Sequence, residues 1–224
     1  MEKRHIVKAY DRELELLKSK VLEMGQACGR QLAGAIEAFK HRDTDLAGRI
    51  FRADAGINAL ESEIDAFTVH LLAKRQPMAV DLRQIIGALK IAGDLERVAD
   101  YAANIARHLF EFNGLNVQAP LQTILEMAET GLTMLHDVLR AYAELDVFQA
   151  IEVWHRDQRI DQAYSGLLTE LRGVMSEDPE SIKACTTLLF IAKCCERIGD
   201  HLMNVAENVH FISVGTPYHG EGQG

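Results

Sequence analysis

The chain has 224 residues, enough for one large domain or two small ones, and 48% are hydrophobic, so a sizeable core can be buried. Aromatic residues make up only 6% and prolines number 4, a balance that suits helices better than a β-sandwich. With 24 Lys and Arg against 33 Asp and Glu, the formal net charge of -9 argues against a broad grip on DNA phosphates. It favours cations or a basic patch on a partner.

The N-terminal stretch Met1 to Leu17 is charged and lacks a signal-peptide apolar core, so no secretory leader is expected. No segment reaches the roughly 18 uncharged apolar residues of a membrane span, so no direct membrane insertion is expected. Cys28, Cys185, Cys194 and Cys195 form no CxxC pair, which fits reduced, buried thiols in a cytoplasmic protein.

Six helices are predicted in chain order, at about 6–40, 43–73, 78–112, 119–143, 146–175 and 179–212. The prolines punctuate them. Pro77 follows Lys74-Arg75-Gln76, Pro120 follows the Asn113-Gly114-Leu115-Asn116 break, Pro179 follows Ser176-Glu177-Asp178, and Pro217 lies in the Gly-bearing tail. In the third helix Ile91, Leu95, Val98, Ala102, Ile105 and Leu109 step by four and three, an apolar seam along one face.

The chain repeats itself. At an offset of 103, Val21-Leu22-Glu23-Met24 meets Ile124-Leu125-Glu126-Met127, Asp43 meets Asp146, Asp54 meets Asp157, and Ile57 meets Ile160. At an offset of 100, Leu89, Ile91, Ala92, Glu96, Arg97, Asp100, Asn104 and Ala106 recur as Leu189, Ile191, Ala192, Glu196, Arg197, Asp200, Asn204 and Ala206. The slip falls in a turn, where a change of length leaves the buried faces intact. The expected fold is all-α, a tandem duplication of two three-helix bundles. Residues 1–113 form the first unit, 114–213 the second, and 214–224 a flexible tail.

Packing explains the apolar matches and leaves the polar ones open. At about 100° per residue with the seam at zero, Glu96, Asp100 and Asn104 fall near 140°, 180° and 220°, opposite the seam. Glu196, Asp200 and Asn204 do the same in the second copy. Across each hairpin, Asp54 is level with Asp100, and Asp157 and Asp161 with Glu196 and Asp200. Carboxylates stacked at i, i+4 repel one another unless a cation bridges them. The candidate metal-ligating residues are therefore Asp54, Glu96, Asp100, Asp157, Asp161, Glu196 and Asp200. Oxygen ligands from two helices suit Mg²⁺, Ca²⁺, Mn²⁺ or iron and not a thiolate-type zinc site. Asn58 stands where the first copy would need its fourth acid. Arg97 and Arg197 are expected to pair with these carboxylates and orient them.

The stretch Glu196-Arg197-Ile198-Gly199-Asp200-His201 with Asn204 resembles the ERIGD signature of PhoU proteins. So do Lys74-Arg75-Gln76-Pro77, Asp81-Leu82-Arg83 and Leu95-Glu96-Arg97-Val98-Ala99-Asp100 in the first copy, with Val98-Ala99 in place of Ile-Gly. The resemblance covers nearly the whole chain. It implies a pair of three-helix bundles, no enzymatic activity, and E/DxxxD motifs able to bind multinuclear clusters of iron, zinc or manganese. It also implies partners: a phosphate ABC transporter with its ATPase, and a sensor histidine kinase. With them the family represses the phosphate-starvation response; a homodimer is the expected assembly.

The main alternative is a ferritin-like di-metal oxidase or metal-storage protein, for which Glu152-Val153-Trp154-His155 and Glu207-Asn208-Val209-His210 supply ExxH strings. Neither has a counterpart in the first copy, where Arg49, Arg52, Arg107 and Phe110 stand instead. No nucleotide loop, nucleophile elbow, zinc-protease helix or DNA-reading basic helix is present.

Overall fold

The computed structural model describes residues 2–75, 77–112, 118–216, 218 and 220, with the side chains of 2–9, 118 and 119 left aside. The expected breaks at Gln76, Asn113 to Asn116 and Pro217 lie outside these residues. Among the described residues there are six α-helices and no strand: α1 Glu2–His41, α2 Thr44–Arg75, α3 Ala79–Leu109, α4 Gln118–Glu144, α5 Val147–Glu177 and α6 Ile182–Val214. A 3₁₀ turn, Pro179–Ser181, leads into α6. The ends lie within a few residues of those predicted, the third helix stopping at Leu109 because Phe110, Glu111 and Phe112 fall into turn-type bonds to Arg107, His108 and Leu109.

The duplication extends to the turns. Arg42 and Leu145, equivalent by the offset of 103, both adopt φ 54. In each case the following Asp returns its N–H to a helix carbonyl, Asp43 to Ala38 and Asp146 to Ala141, both at 2.9 Å. This left-handed closure satisfies the last carbonyls of one helix. The same Asp then caps the next helix. Asp43 Oδ1 accepts from Leu46 N at 2.8 Å, and Asp146 Oδ1 accepts from Phe148 N and Gln149 N at 3.0 and 3.1 Å.

Each unit is an antiparallel three-helix bundle, α1–α2–α3 and α4–α5–α6. The units lie side by side, with α3 packed along α6 and α1 against α4. The α3–α6 pair is antiparallel. Arg83 Nε donates to Ile212 O at 3.3 Å at one end, and the His108 ring stacks on Phe190 at the other. Gly87 permits this approach, since Ile212 occupies the place of a Cβ there.

The polar stripe of Glu96, Asp100 and Asn104 does not lie on an open outer flank. Because α3 packs against α1, α2 and α6 at once, the seam is buried together with a second face of Ala88, Ala92, Ala99, Ala103 and Ala106. All three stripe residues are only half-exposed. The core runs through both units, and no helix among the described residues is long and apolar enough to cross a membrane. Tyr218, in the expected tail, packs edge-on against Trp154, with centroids 5.2 Å apart.

Candidate metal centre

The second copy gathers acids from two helices. Asp157 and Asp161 stand one turn apart on α5, and Glu196 and Asp200 one turn apart on α6. Carboxylate oxygens of Asp157, Asp161 and Asp200 all lie within 4.8 Å of one another, the one such group of three or more potential ligands among the described residues. Asp157 is its inner member, 5% exposed, and its Oδ1 has no hydrogen-bond partner. A buried carboxylate oxygen left unsatisfied is costly unless a proton or a cation meets it. Burial first, and then the charges of Asp161, Asp200 and Glu196, push the Asp157 carboxyl up to about 7.

Gly199 is what lets Asp157 descend onto α6. A Cβ at that position would collide with Asp157 Oδ1 and press on Ile160. The glycine is therefore a close-approach residue rather than a flexible one.

Glu196 stands beside the group without joining it. Its Oε1 accepts from Lys193 Nζ at 2.6 Å, and its Oε2 is buried without a hydrogen bond, 3.6 Å from Arg197 Nε. Arg197 Nη1 donates to Asp200 Oδ2 at 2.9 Å, and Arg97 Nε lies 3.4 Å from Glu96 Oε2. Both arginines thus pair with the carboxylates of their own motifs.

The first copy is different. Asp54, Glu96 and Asp100 do not converge into a comparable group among the described residues. The Gln31 amide explains why, since its Nε2 donates both to Asp54 Oδ1 and to Ala99 O, each at 3.0 Å. Asp54 is satisfied by a neutral donor. Ala99 carries the methyl that Gly199 lacks, Asn58 replaces Asp161, and Asp100 accepts from Asn104 at 3.4 Å. In the second copy the residue matching Gln31 is the fully buried Met134, which offers no donor.

Glu96 faces Glu61 instead. Burial, and then Glu96 and Asp65, push the Glu61 carboxyl up. Both line an open cleft of about 490 Å³ between the units, with Lys90, Asp94, Arg97 and Glu207. Beside it lies a polar contact that periodicity did not reveal. His201 Nδ1 is 2.9 Å from Asp94 Oδ1, which also accepts from Asn204 Nδ2 at 3.3 Å. His201 thus ties the two units together rather than joining the acidic group.

The ExxH strings do not assemble a centre among the described residues. Trp154 Nε1 donates to Glu207 Oε1 at 3.0 Å, His155 Nε2 lies 3.2 Å from the Tyr218 hydroxyl, and His210 Nδ1 donates to Thr216 O at 2.9 Å. The four cysteines are free and buried. Burial raises the Cys28, Cys194 and Cys195 thiols, Cys194 to about 12, so none of these three is an activated nucleophile.

The PhoU domain pattern matches this chain twice, over residues 21–109 and 124–209, one match per three-helix unit. The chain belongs to the PhoU family. It is 42% identical over 212 residues to a "phosphate-specific transport system accessory protein PhoU homolog" of Caulobacter vibrioides, covering 94% of this chain and 92% of that one. It is 39% identical over 222 residues to the homolog of the same name in Rhizobium meliloti, covering 99% and 94%. The crystal structure of PhoU from Pseudomonas aeruginosa superposes with a TM-score of 0.89 at 34% identity, covering 92% of this chain and all of that one. Within the PhoU frame, the glycine of ERIGD acquires a physical reason. It admits the aspartate of the neighbouring helix to the acidic group, and the first copy, with Ala99, keeps its own aspartate under an amide.

Proposed function

We propose that this chain is a non-enzymatic, cytoplasmic accessory protein of phosphate uptake. In this reading it couples a phosphate ABC transporter to a sensor histidine kinase and restrains the phosphate-starvation response when phosphate is plentiful. Its PhoU relatives, named as accessory proteins of the phosphate-specific transport system, support the transport part.

The second half of the proposal is that Asp157, Asp161 and Asp200 hold a metal ion. The observation that carries it is the orphaned, buried Asp157 Oδ1 beside two further carboxylates. Three oxygen ligands fit hard or borderline cations such as manganese, magnesium or iron, and zinc through oxygen. Bound metal supplies positive charge that holds α5 to α6, so that the level of three acids becomes an attraction instead of a repulsion. The chain contributes the ligands, Gly199 for clearance, and Arg197 to orient Asp200. The first copy, with Asp54 already bonded and Asn58 in place, contributes no equivalent.

The test is binding of the purified transporter ATPase and of the kinase's cytoplasmic part to metal-loaded and metal-stripped protein. Binding of at least one partner should weaken by about tenfold on stripping, which loosens the α5–α6 contact. Equal binding in both states would remove the metal from the regulatory mechanism.

A further inference from the structure

The two copies differ on the groove between their first two helices. In the second copy it is sealed: Arg156 Nη1 of α5 donates to Asp137 Oδ2 of α4 at 2.7 Å. The equivalent first-copy residues are Ala53 and Gly34, and Arg159 is matched by Gly56. No ion pair can form there, and the groove stays open, a cavity of about 330 Å³ floored by Ala27, Ile50, Ala53, Ile57 and Leu60. Ile50 leans over Gly34 into the place of a Cβ, which fixes the groove's upper wall.

The charge around the opening is unusual for this chain. Arg30 lines the groove, and Arg49 stands one turn before Ala53 on α2, whereas Arg52 turns its guanidinium to Gly48 and Phe110, away from the opening. Arg30 and Arg49 are exposed, and neither has an ion-pair partner among the described residues, in a chain of net charge -9. Beyond the other end, Glu63 is paired with Lys20 at 2.9 Å.

We propose that the first-copy α1–α2 groove receives an amphipathic helix of a partner protein, a large apolar side chain seated over Ala53 and Gly56 and Asp or Glu residues set against Arg30 and Arg49. An apolar floor with i, i+3, i+4 spacing suits a helix face, and small residues on the floor allow close approach. Buried apolar anchors carry such interfaces, while the surrounding charges set orientation and rate. The sealed groove of the second copy cannot serve, so the duplicated protein presents this surface once. The inference names the partner-binding surface of the accessory role and so rests on that reading.

Gly56→Arg tests it. Nothing lies within 4 Å of a Cβ at Gly56, and Arg is the better helix former, so the fold is kept. The long side chain takes up the space at the groove mouth that the glycine leaves open. Binding is measured by titrating the full-length chain with the purified transporter ATPase and with the kinase's cytoplasmic part. Gly56→Arg should weaken binding of one of them by about tenfold or more. Arg30→Glu with Arg49→Glu should weaken the same complex, most at low salt. Equal binding by the unaltered and Gly56→Arg chains overturns the inference and leaves the accessory role standing. Failure of the unaltered chain to bind either partner overturns both. A dimer that Gly56→Arg splits would seat a second copy in the groove and overturn the inference alone.

Discussion

Stripped of metal, the protein should lose stability as pH rises from about 4 to about 7, and Asp157→Asn should abolish that loss. The sign follows from the direction of the shift. Burial and neighbouring carboxylates raise the folded-state Asp157 to about 7, against an unfolded aspartate near 3.8. Between those values the folded chain holds a proton that the unfolded chain has released, so stability falls with rising pH. The stabilisation is full below the unfolded value and gone once pH passes the folded one. A shift of this size corresponds to a change on the order of 4 kcal/mol. Asparagine keeps the shape and never ionises, so metal-free Asp157→Asn should be the more stable protein at pH 8. A bound cation reverses the order, because it replaces the proton at Asp157 and stabilises the ionised group. Thermal unfolding of both proteins at pH 5 and pH 8, with chelator and with manganese, checks this. The unaltered chain should be stabilised by manganese at pH 8 and Asp157→Asn should not.

Gly199→Ala should cost the protein its metal with only a modest loss of fold stability. The added methyl takes the place now filled by Asp157 Oδ1, so the carboxylate must swing away from Asp161 and Asp200. Overpacking of this kind costs roughly 1–3 kcal/mol, partly offset by about 1 kcal/mol from replacing a helical glycine. The mirror change, Ala99→Gly, loses that propensity and one buried methyl, roughly 1–2 kcal/mol together, and creates no acidic group, because Gln31 still holds Asp54 and Asn58 still stands opposite. Urea denaturation beside a metal titration separates the two outcomes. Metal affinity should fall by tenfold or more in Gly199→Ala and stay unchanged in Ala99→Gly. Equal metal loss in both would detach the glycine from the acidic group.

The helices and their duplication were legible because they rest on periodicity and offset, which short-range spacing preserves. The convergence of Asp157, Asp161 and Asp200 was legible too, since hairpin height follows from helix rise and turn position. Whether a carboxylate is free was not legible from one helix pair. Gln31 reaches Asp54 from α1, a third helix, and a wheel drawn for α3 alone cannot show it. The signal was nevertheless present: Gln31 and Met134 occupy equivalent places with opposite hydrogen-bonding capacity. Glu196 was drawn off by Lys193, an i−3 neighbour on its own helix, where Gly93 leaves Glu96 without that partner. The side-by-side packing of α3 on α6 was missed because alanine-rich faces carry little hydrophobic contrast, and with it went the contact of Asp94, His201 and Asn204.

Metal content of the purified full-length chain, read by elemental analysis after exposure to manganese, iron and zinc and removal of free ions, tests the acidic group most directly. The unaltered protein should retain metal and Asp157→Asn with Asp200→Asn should lose it, both remaining folded helical proteins. Metal retained equally by the two, or by neither, would contradict a cation centre between α5 and α6.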